Sequence, residues 1–120
     1  QQASMRISIP IGFKYPETLP FLPPQVEQSL YRITQEGLEN IVRHANASEA
    51  QVILDVSSDL VELSISDNGS GFEPGSVQTE DRFGIQGLKE RAASVGGKLE
   101  VNSQPGQGTT IHFSWERLND

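Results

Sequence analysis

The sequence predicts an α/β fold, in which short strands are interleaved with two longer helices. Segments with the apolar and polar alternation of half-buried strands occur at 5–9 with a continuation over 11–15, and at 50–56, 60–65, 98–103 and 109–115. Two other segments, 24–47 and 83–95, favour helices. In the first, apolar residues recur every three or four positions, and the second is bounded by glycines.

Composition limits the functions that this chain can have. The 120 residues, 35% of them hydrophobic, suffice for one domain with a buried core, and no apolar run is long enough to cross a membrane. The chain has no cysteine, and its two histidines, His44 and His112, are distant in sequence, which argues against disulfides and zinc. A net charge of −7 argues against a nucleic-acid partner but allows a local pocket for one nucleotide. The abrupt start at Gln1 suggests a piece of a longer protein.

The first helix should begin at Pro24, since proline is tolerated in a first helical turn, and should continue to about Ala47. Glu36 and Asn40 lie one turn apart beside its apolar stripe, with Arg43 and His44 following. A carboxylate and an amide oxygen in this position suit the edge of a site that includes Mg²⁺, which prefers oxygen ligands. The alternative is a solvated helix face whose polar residues have no role.

The strand at 60–65 leads directly to Asp67, which is followed by Asn68, Gly69, Ser70 and Gly71. Glycines permit positive φ and let a backbone approach whatever lies beside it, so a carboxylate followed by this loop suits a flat ligand with an N–H to donate. The alternative is an ordinary turn, in which the Asp67 and Asn68 side chains bond their own backbone. The following stretch, 72–82, has no periodicity and is predicted to be a lid loop.

Two further glycine pairs precede the last helix and the last strand. Gly84 and Gly87 open the helix, where free N–H groups and the helix dipole attract anions such as phosphate. Gly106 and Gly108 precede two threonines. Each pair also has a purely structural interpretation, as a loop or a hairpin turn.

Each of these four features is weak by itself, but together their order and spacing resemble the sequence pattern of a known family. They are Glu36-x3-Asn40, Asp67-x-Gly69-x-Gly71, Gly84-x2-Gly87-Leu88 and Gly106-x-Gly108-Thr109-Thr110. This pattern is similar to the N, G1, G2 and G3 boxes of the ATPases that include DNA gyrase, a heat-shock chaperone, mismatch-repair ATPases and sensor histidine kinases. More narrowly, segments 31–45 (YRITQEGLENIVRHA) and 84–92 (GIQGLKERA) resemble kinases of the nitrate-sensor type.

The resemblance implies a fold and a set of roles. The fold is a two-layer sandwich, with a mixed, mostly antiparallel sheet covered on one face by about three helices. Asp67 would accept the adenine amino group with support from Thr109, and Asn40 would bind Mg²⁺. The rest of the implied nucleotide-binding set comprises Gly69 and Gly71 along the base and ribose, Gly84, Gly87 and Leu88 with amides towards the phosphates, and Arg43 or His44 against phosphate charge. Phe72 and Thr110 complete the set as further nucleotide-binding residues.

The resemblance also implies an activity. Glu36 would orient or deprotonate a phosphoacceptor histidine on a separate helical domain, to which the γ-phosphoryl group of Mg-ATP is transferred before a response regulator receives it. The fragment alone would be a monomer without membrane contact, and the full-length kinase would be a homodimer whose cytoplasmic portion contains this domain. The alternative function is an anti-sigma-factor serine kinase of the same fold.

Overall fold

The computed structural model describes residues 9–72 and 84–117. The strand predicted over 5–9 and the lid predicted over 72–82 lie almost wholly outside these ranges. Of the helices in the described part of the chain, neither combines the length and apolar character that crossing a membrane requires.

Within the described ranges, five strands form one mixed sheet, with two α-helices packed on it. The strands are β1 (Ile11–Lys14), β2 (Ala50–Val56), β3 (Leu60–Asp67), β4 (Lys98–Ser103) and β5 (Thr109–Glu116), and the helices are α1 (Pro24–Asn40) and α2 (Ile85–Ser94). The strand order is β1-β2-β3-β5-β4. Strand β1 is parallel to β2, whereas the other neighbours are antiparallel. The mixed, mostly antiparallel sheet is therefore confirmed, and the described residues contain two α-helices where the resemblance implies about three.

The long predicted helix changes geometry near its end. It is α-helical from Pro24 to Asn40, and the next five residues, Ile41–Ala45, form a π-helical turn. Asn46 then adopts a left-handed conformation with φ 53°, which asparagine tolerates better than most residues, and this ends the helix. A π-helical turn is rare and is often found at functional sites.

The core lies between the helices and one face of the sheet. The strand residues that face the helices include Leu63, Ile65, Ile111 and Phe113, each at most 4% exposed. Because side chains alternate along a strand, their neighbours face the other way, and there Glu62 and His112 approach to 3.3 Å.

Gly37 lets helix α1 lie close to the middle of the sheet. A Cβ atom at this position would stand 2.8 Å from Cδ1 of Ile65 on β3. The missing side chain therefore sets the distance between α1 and β3. One turn later the same helix brings Asn40 over the end of β3, where Asp67 lies.

Candidate functional site

A cleft opens where the end of α1, the end of β3 and the start of α2 meet. The empty space between its walls is about 400 Å³ when the open mouth is included. Most of the wall is apolar, and three polar side chains lie on it. The lining residues are Gly37, Asn40, Ile41, Ile65, Asp67, Gly71, Phe72, Ile85, Thr109 and Ile111.

Asp67 is held in place by two backbone donors. Its carboxylate accepts a hydrogen bond from the Gly69 N–H at 2.7 Å and another from the backbone of Thr109, its partner on β5. Burial away from water raises the pKa of the Asp67 carboxyl, and these two hydrogen bonds offset part of the rise. A carboxylate has about four acceptor positions, so capacity remains for a ligand. The turn interpretation and the ligand interpretation of Asp67 are thus compatible.

Asn68, the next residue, has a structural role outside the cleft. Its Oδ1 accepts from the backbone N–H groups of Ser48 and Glu49, each at 3.0 Å, and its Nδ2 donates to the Ser48 hydroxyl at 2.8 Å. These bonds fasten the end of β3 to the segment that enters β2. Asp67 therefore projects from an anchored strand end.

Two glycines let the loop after β3 pack directly against the β4–β5 hairpin. Gly71 (φ +65°) leaves no room for a Cβ atom beside the Gln104 carbonyl, and Gly108 (φ +82°) leaves none beside the Asp67 carbonyl. The Gly106 N–H also donates to the Ser70 carbonyl at 2.6 Å. The sequence suggested that Gly71 allows a ligand to approach, and the structure adds that it allows a second loop to approach.

Ser103 connects both loops to the cleft, and the sequence reasoning missed it. The residue is 7% exposed. Its hydroxyl oxygen lies 2.8 Å from the Phe72 amide nitrogen, 2.8 Å from the Thr109 hydroxyl and 3.2 Å from the Gly108 carbonyl oxygen. The signal that identifies Ser103 is the register of the hairpin, which places this residue directly opposite Thr109. A serine before a Pro-Gly turn is too common to have been singled out without that register.

Helix α2 begins beside Glu36. Gly84 precedes the helix in a left-handed conformation (φ +65°). A Cβ atom built on Gly84 would lie 3.6 Å from Oε2 of Glu36. The Leu88 N–H donates to the Gly84 carbonyl at 3.1 Å, so that amide is used inside the helix. The amides that precede Leu88 in this helix have no partner within the helix itself. At Gly87, no atom of the described residues lies within 4 Å of a would-be Cβ.

The remaining predicted residues lie at different distances from the cleft. Glu36 and Arg43 are exposed, and the His44 side chain lies outside the described part of the structure. Thr110 is not brought into the cleft: because successive strand residues face opposite sides, it lines a groove on the uncovered face of the sheet. Among the described residues, no three acidic, histidine or cysteine side chains group closely enough to hold a metal ion by themselves. A metal here would need other ligands, such as an asparagine oxygen or a phosphate.

Comparisons with known proteins agree with this arrangement. Residues 25–119 match the family model described as histidine kinase-, DNA gyrase B-, and HSP90-like ATPase. The chain is 43% identical over 86 residues to the sensor histidine kinase LiaS of Bacillus subtilis, a match that covers 72% of this chain and 24% of LiaS. It thus spans about a quarter of the length of that relative.

Solved histidine kinases have the same fold. The histidine kinase domain of the blue-light activated kinase EL346 from Erythrobacter litoralis superposes with a TM-score of 0.74 at 19% identity, covering 91% of this chain and 52% of that one. ShkA, solved full-length in complex with AMPPNP, gives a TM-score of 0.72 at 24% identity, covering 89% of this chain and 25% of that one. The nitrate-sensor subgroup stays a prediction, whereas the wider family is established: this chain belongs to the histidine kinase-, DNA gyrase B- and HSP90-like ATPases, with sensor histidine kinases among its relatives.

Proposed function

We propose that this chain binds Mg-ATP in the cleft and is the catalytic domain of a sensor histidine kinase, transferring the γ-phosphoryl group to a histidine on a separate helical domain. The observation that carries the proposal is Asp67, a partly desolvated carboxylate on the wall of an otherwise mostly apolar cleft. Family membership, and a structural neighbour solved with AMPPNP, support the choice of nucleotide.

The chemistry of the cleft favours adenine over guanine. Asp67 accepts a hydrogen bond from the exocyclic amine of adenine, while Ile65, Ile85 and Ile111 supply apolar surface for the flat ring. Guanine has a carbonyl oxygen at the same ring position, so two acceptors would face each other. A buried polar group left unpaired in this way is the strongest means by which a site rejects a wrong ligand.

The phosphates extend from the base towards Asn40 and the start of α2. Asn40 lies on the cleft wall and offers an oxygen to Mg²⁺, with phosphate oxygens and water completing the shell. Bound Mg²⁺ would neutralise charge on the transferring phosphoryl group. The first amides of α2 bind the phosphate tail, and Arg43 or His44 offsets its charge.

Gly87 supports the phosphate assignment in a specific way. Glycine inside a helix costs about 1 kcal/mol relative to alanine, and the described structure gives no steric reason for it here. A ligand that approaches the backbone closely supplies the missing reason, because only glycine leaves that path open.

Glu36 is the residue that we assign to the acceptor. Its carboxylate is exposed and lies beside Gly84, where the phosphate tail should end. From there it orients the imidazole of an incoming histidine or takes its proton, while the imidazole nitrogen bonds to the γ-phosphorus and the bond to the leaving ADP breaks. His112 is a poor acceptor within the chain, since it lies on the uncovered face of the sheet paired with Glu62 at 3.3 Å.

The partners of the whole protein follow from the same proposal. They are a dimerising helical domain that holds the acceptor histidine and a response regulator that takes the phosphoryl group onward. This domain would work in the cytoplasm, as a monomer when isolated and within a homodimer when joined to the rest of the kinase.

A titration followed by a transfer assay tests the proposal. Calorimetry with ATP, ADP and GTP, each with and without Mg²⁺, should show binding of both adenine nucleotides and little binding of GTP. Adding a separately made acceptor helical domain and labelled ATP should then give acid-labile phosphohistidine. Equal affinity for GTP would contradict the cleft assignment. Label that appears on a serine protein, and never on histidine, would favour the anti-sigma-factor kinase instead.

A further inference from the structure

We propose that Ser103 is a positioning residue for base recognition: it orients the Thr109 hydroxyl so that Thr109 and Asp67 together present acceptors to an exocyclic amine. This inference rests on the proposed nucleotide site. It concerns a side chain that does not line the cleft but bonds one that does.

The number of hydrogen bonds that the Ser103 hydroxyl can donate and accept limits the possible directions of its bonds. A serine hydroxyl has one proton to donate and two lone pairs that accept. The Phe72 N–H can only donate to it, and the Gly108 carbonyl can only accept from it. If Ser103 gives its proton to Gly108, the remaining lone pair is free to accept the proton of Thr109, and all three contacts become hydrogen bonds.

The opposite direction satisfies fewer groups. If Ser103 gave its proton to Thr109 instead, the Gly108 carbonyl would lose this donor and one of the three bonds would be missing. Gly108 is buried, and leaving a buried carbonyl without its donor is costly. The first arrangement satisfies more groups, and it is the one on which this inference rests.

This arrangement determines what Thr109 offers to a ligand. With its proton committed to Ser103, the Thr109 oxygen can only accept, either directly or through one bridging water. Asp67 is its cross-strand partner and, as a carboxylate, also only accepts. Two neighbouring acceptors match the two protons of a purine 6-amino group and repel a 6-oxo group.

A purely structural role is the alternative for Ser103, because its hydroxyl also joins the loop after β3 to the β4–β5 hairpin. The two roles differ in one measurable respect. A structural role affects every nucleotide equally, whereas a role exerted through Thr109 affects ligands that have the 6-amino group and requires the Thr109 hydroxyl.

The experiment is a double-mutant cycle read out with two ligands, ATP and the triphosphate of purine riboside, which lacks the 6-amino group. Dissociation constants are measured for the wild-type chain, Ser103→Ala, Thr109→Val and the double variant. We expect Ser103→Ala to weaken ATP binding by about three- to tenfold and to change binding of the analogue less than about twofold. In the Thr109→Val background the same substitution should alter ATP binding less than about twofold.

Two other variants keep the test decisive. Ser29→Ala is the matched control. It removes the hydroxyl of another buried serine, which lies in helix α1 away from the cleft lining, and it should leave the ratio of the two affinities unchanged. Ser103→Cys retains a weaker donor and acceptor, so it should give an intermediate loss; it also replaces Ser103→Ala in the cycle if that variant does not fold.

The outcomes separate this inference from the proposal on which it rests. If the wild-type chain binds ATP no better than the analogue, recognition of the amine fails, and the role of Ser103 fails with it. If the wild-type chain prefers ATP, but Ser103→Ala lowers both affinities equally or acts fully in the Thr109→Val background, then only the positioning role is overturned.

Discussion

A single residue, Asp67, combines a turn-forming side chain with the group that we propose binds the ligand. The Asp-Asn-Gly sequence made both interpretations possible, and the alternation of the preceding strand placed the carboxylate at a strand end. Alternation could not show which element would cover that end. The structure shows that Asn40 of α1 and Thr109 of β5 lie on the same cleft wall, a juxtaposition that only long-range pairing creates.

Replacing the Asp67 carboxylate should abolish most of the nucleotide affinity. Asp67→Asn keeps the size of the side chain, but the new amide can place an N–H donor against the exocyclic amine of adenine, which is also a donor. We expect ATP affinity to fall about 10- to 100-fold in calorimetry, the loss typical of a hydrogen bond to a charged group. Asp55→Asn is the control, an exposed carboxylate on β2 that should leave binding unchanged. Unchanged ATP affinity in Asp67→Asn would remove the adenine role.

The raised pKa of Asp67 should make the stability of the unliganded chain depend on pH in a defined direction. Burial holds the pKa of Asp67 in the folded chain above its ordinary value of 3.8. At pH values between these two pKa values, the folded chain therefore binds more protons than the unfolded chain. The contribution of Asp67 to the free energy of unfolding is therefore fully present below 3.8 and is lost as pH rises through the folded-state pKa.

This dependence can be isolated by subtraction. Denaturant unfolding of the wild-type chain and of Asp67→Asn, which cannot titrate here, is compared from about pH 7 down to about pH 4. The wild-type stability minus that of the variant should increase as the pH falls, whatever its value at neutral pH. A difference that stays constant or decreases on acidification would show that Asp67 is not desolvated in the folded chain.

Ser103 and Thr110 mark the limits of residue-level prediction. Sequence reasoning grouped Thr110 with Thr109 because they are adjacent, although neighbours on a strand face opposite sides. It passed over Ser103, which is six positions from Thr109 in sequence but directly opposite it in the hairpin. For Thr110 the alternation of side chains along a strand was sufficient information, whereas for Ser103 the missing information was the register of β4 against β5.

At the scale of elements, the strand patterns were accurate because alternation reports burial directly. The boundaries predicted for the strands at 50–56 and 98–103 are those observed, and the strand before Asp67 extends two residues beyond its predicted end. The π-helical turn after Asn40 was not predictable, since its residues continue the helical apolar pattern.

The contact between the two glycine loops should make Gly108 much less replaceable than Gly106. Both have positive φ, about +80°, but a Cβ at Gly106 meets nothing within 4 Å among the described residues, whereas one at Gly108 overlaps the Asp67 carbonyl. We expect Gly106→Ala to cost about 1–2 kcal/mol from backbone strain and Gly108→Ala about 1–3 kcal/mol more from overlap. Urea unfolding measures both. Equal losses would mean that the loops do not touch.

Gly87→Ala should separate stability from function within helix α2. Alanine there removes the conformational cost of glycine without a clash, so the unliganded chain should gain about 0.5–1 kcal/mol in unfolding experiments. The added methyl group should at the same time weaken ATP binding, because it stands where the phosphates approach the backbone.

A second substitution in the same helix supplies the comparison. Ser94→Ala, at the exposed end of α2, changes helix preference far from the proposed phosphates and should not alter ATP affinity. If Gly87→Ala stabilises the chain and ATP binding stays at the wild-type level, the phosphates do not approach this part of the helix.

At the scale of the whole molecule, the sheet order is the feature that sequence patterns alone leave undetermined. Alternation identifies strands but does not say that β5 lies between β3 and β4, or that β1 runs parallel to β2 at the edge. The resemblance carried by four spaced motifs supplied the mixed sheet and the two layers. The architecture was thus implied by that resemblance, and not by the strand patterns themselves.

The net charge of the molecule is a reason to expect the proposed metal ion to contribute to nucleotide binding. A chain with a net charge of −7 repels a polyanion such as a nucleoside triphosphate. Hydrogen-bond donors in the cleft and a bound cation must therefore offset that repulsion if the nucleotide is to bind. ATP should therefore stabilise the chain more with Mg²⁺ than without it. At about 100 times the dissociation constant, Mg-ATP should add about 2.7 kcal/mol to the free energy of unfolding, which corresponds to a rise of about 10 °C in Tm.

Asn40→Ala should remove the part of this stabilisation that depends on the metal. Thermal unfolding with ATP alone should shift similarly in the wild-type chain and in the variant, whereas the extra shift on adding Mg²⁺ should shrink in the variant because an oxygen ligand is lost. Glu39→Ala, an exposed neighbour on α1, controls for changes in the helix itself. If Asn40→Ala reduces the shifts with and without Mg²⁺ equally, Asn40 contacts the nucleotide rather than the metal, and the Mg²⁺ ligand must be sought elsewhere in the chain.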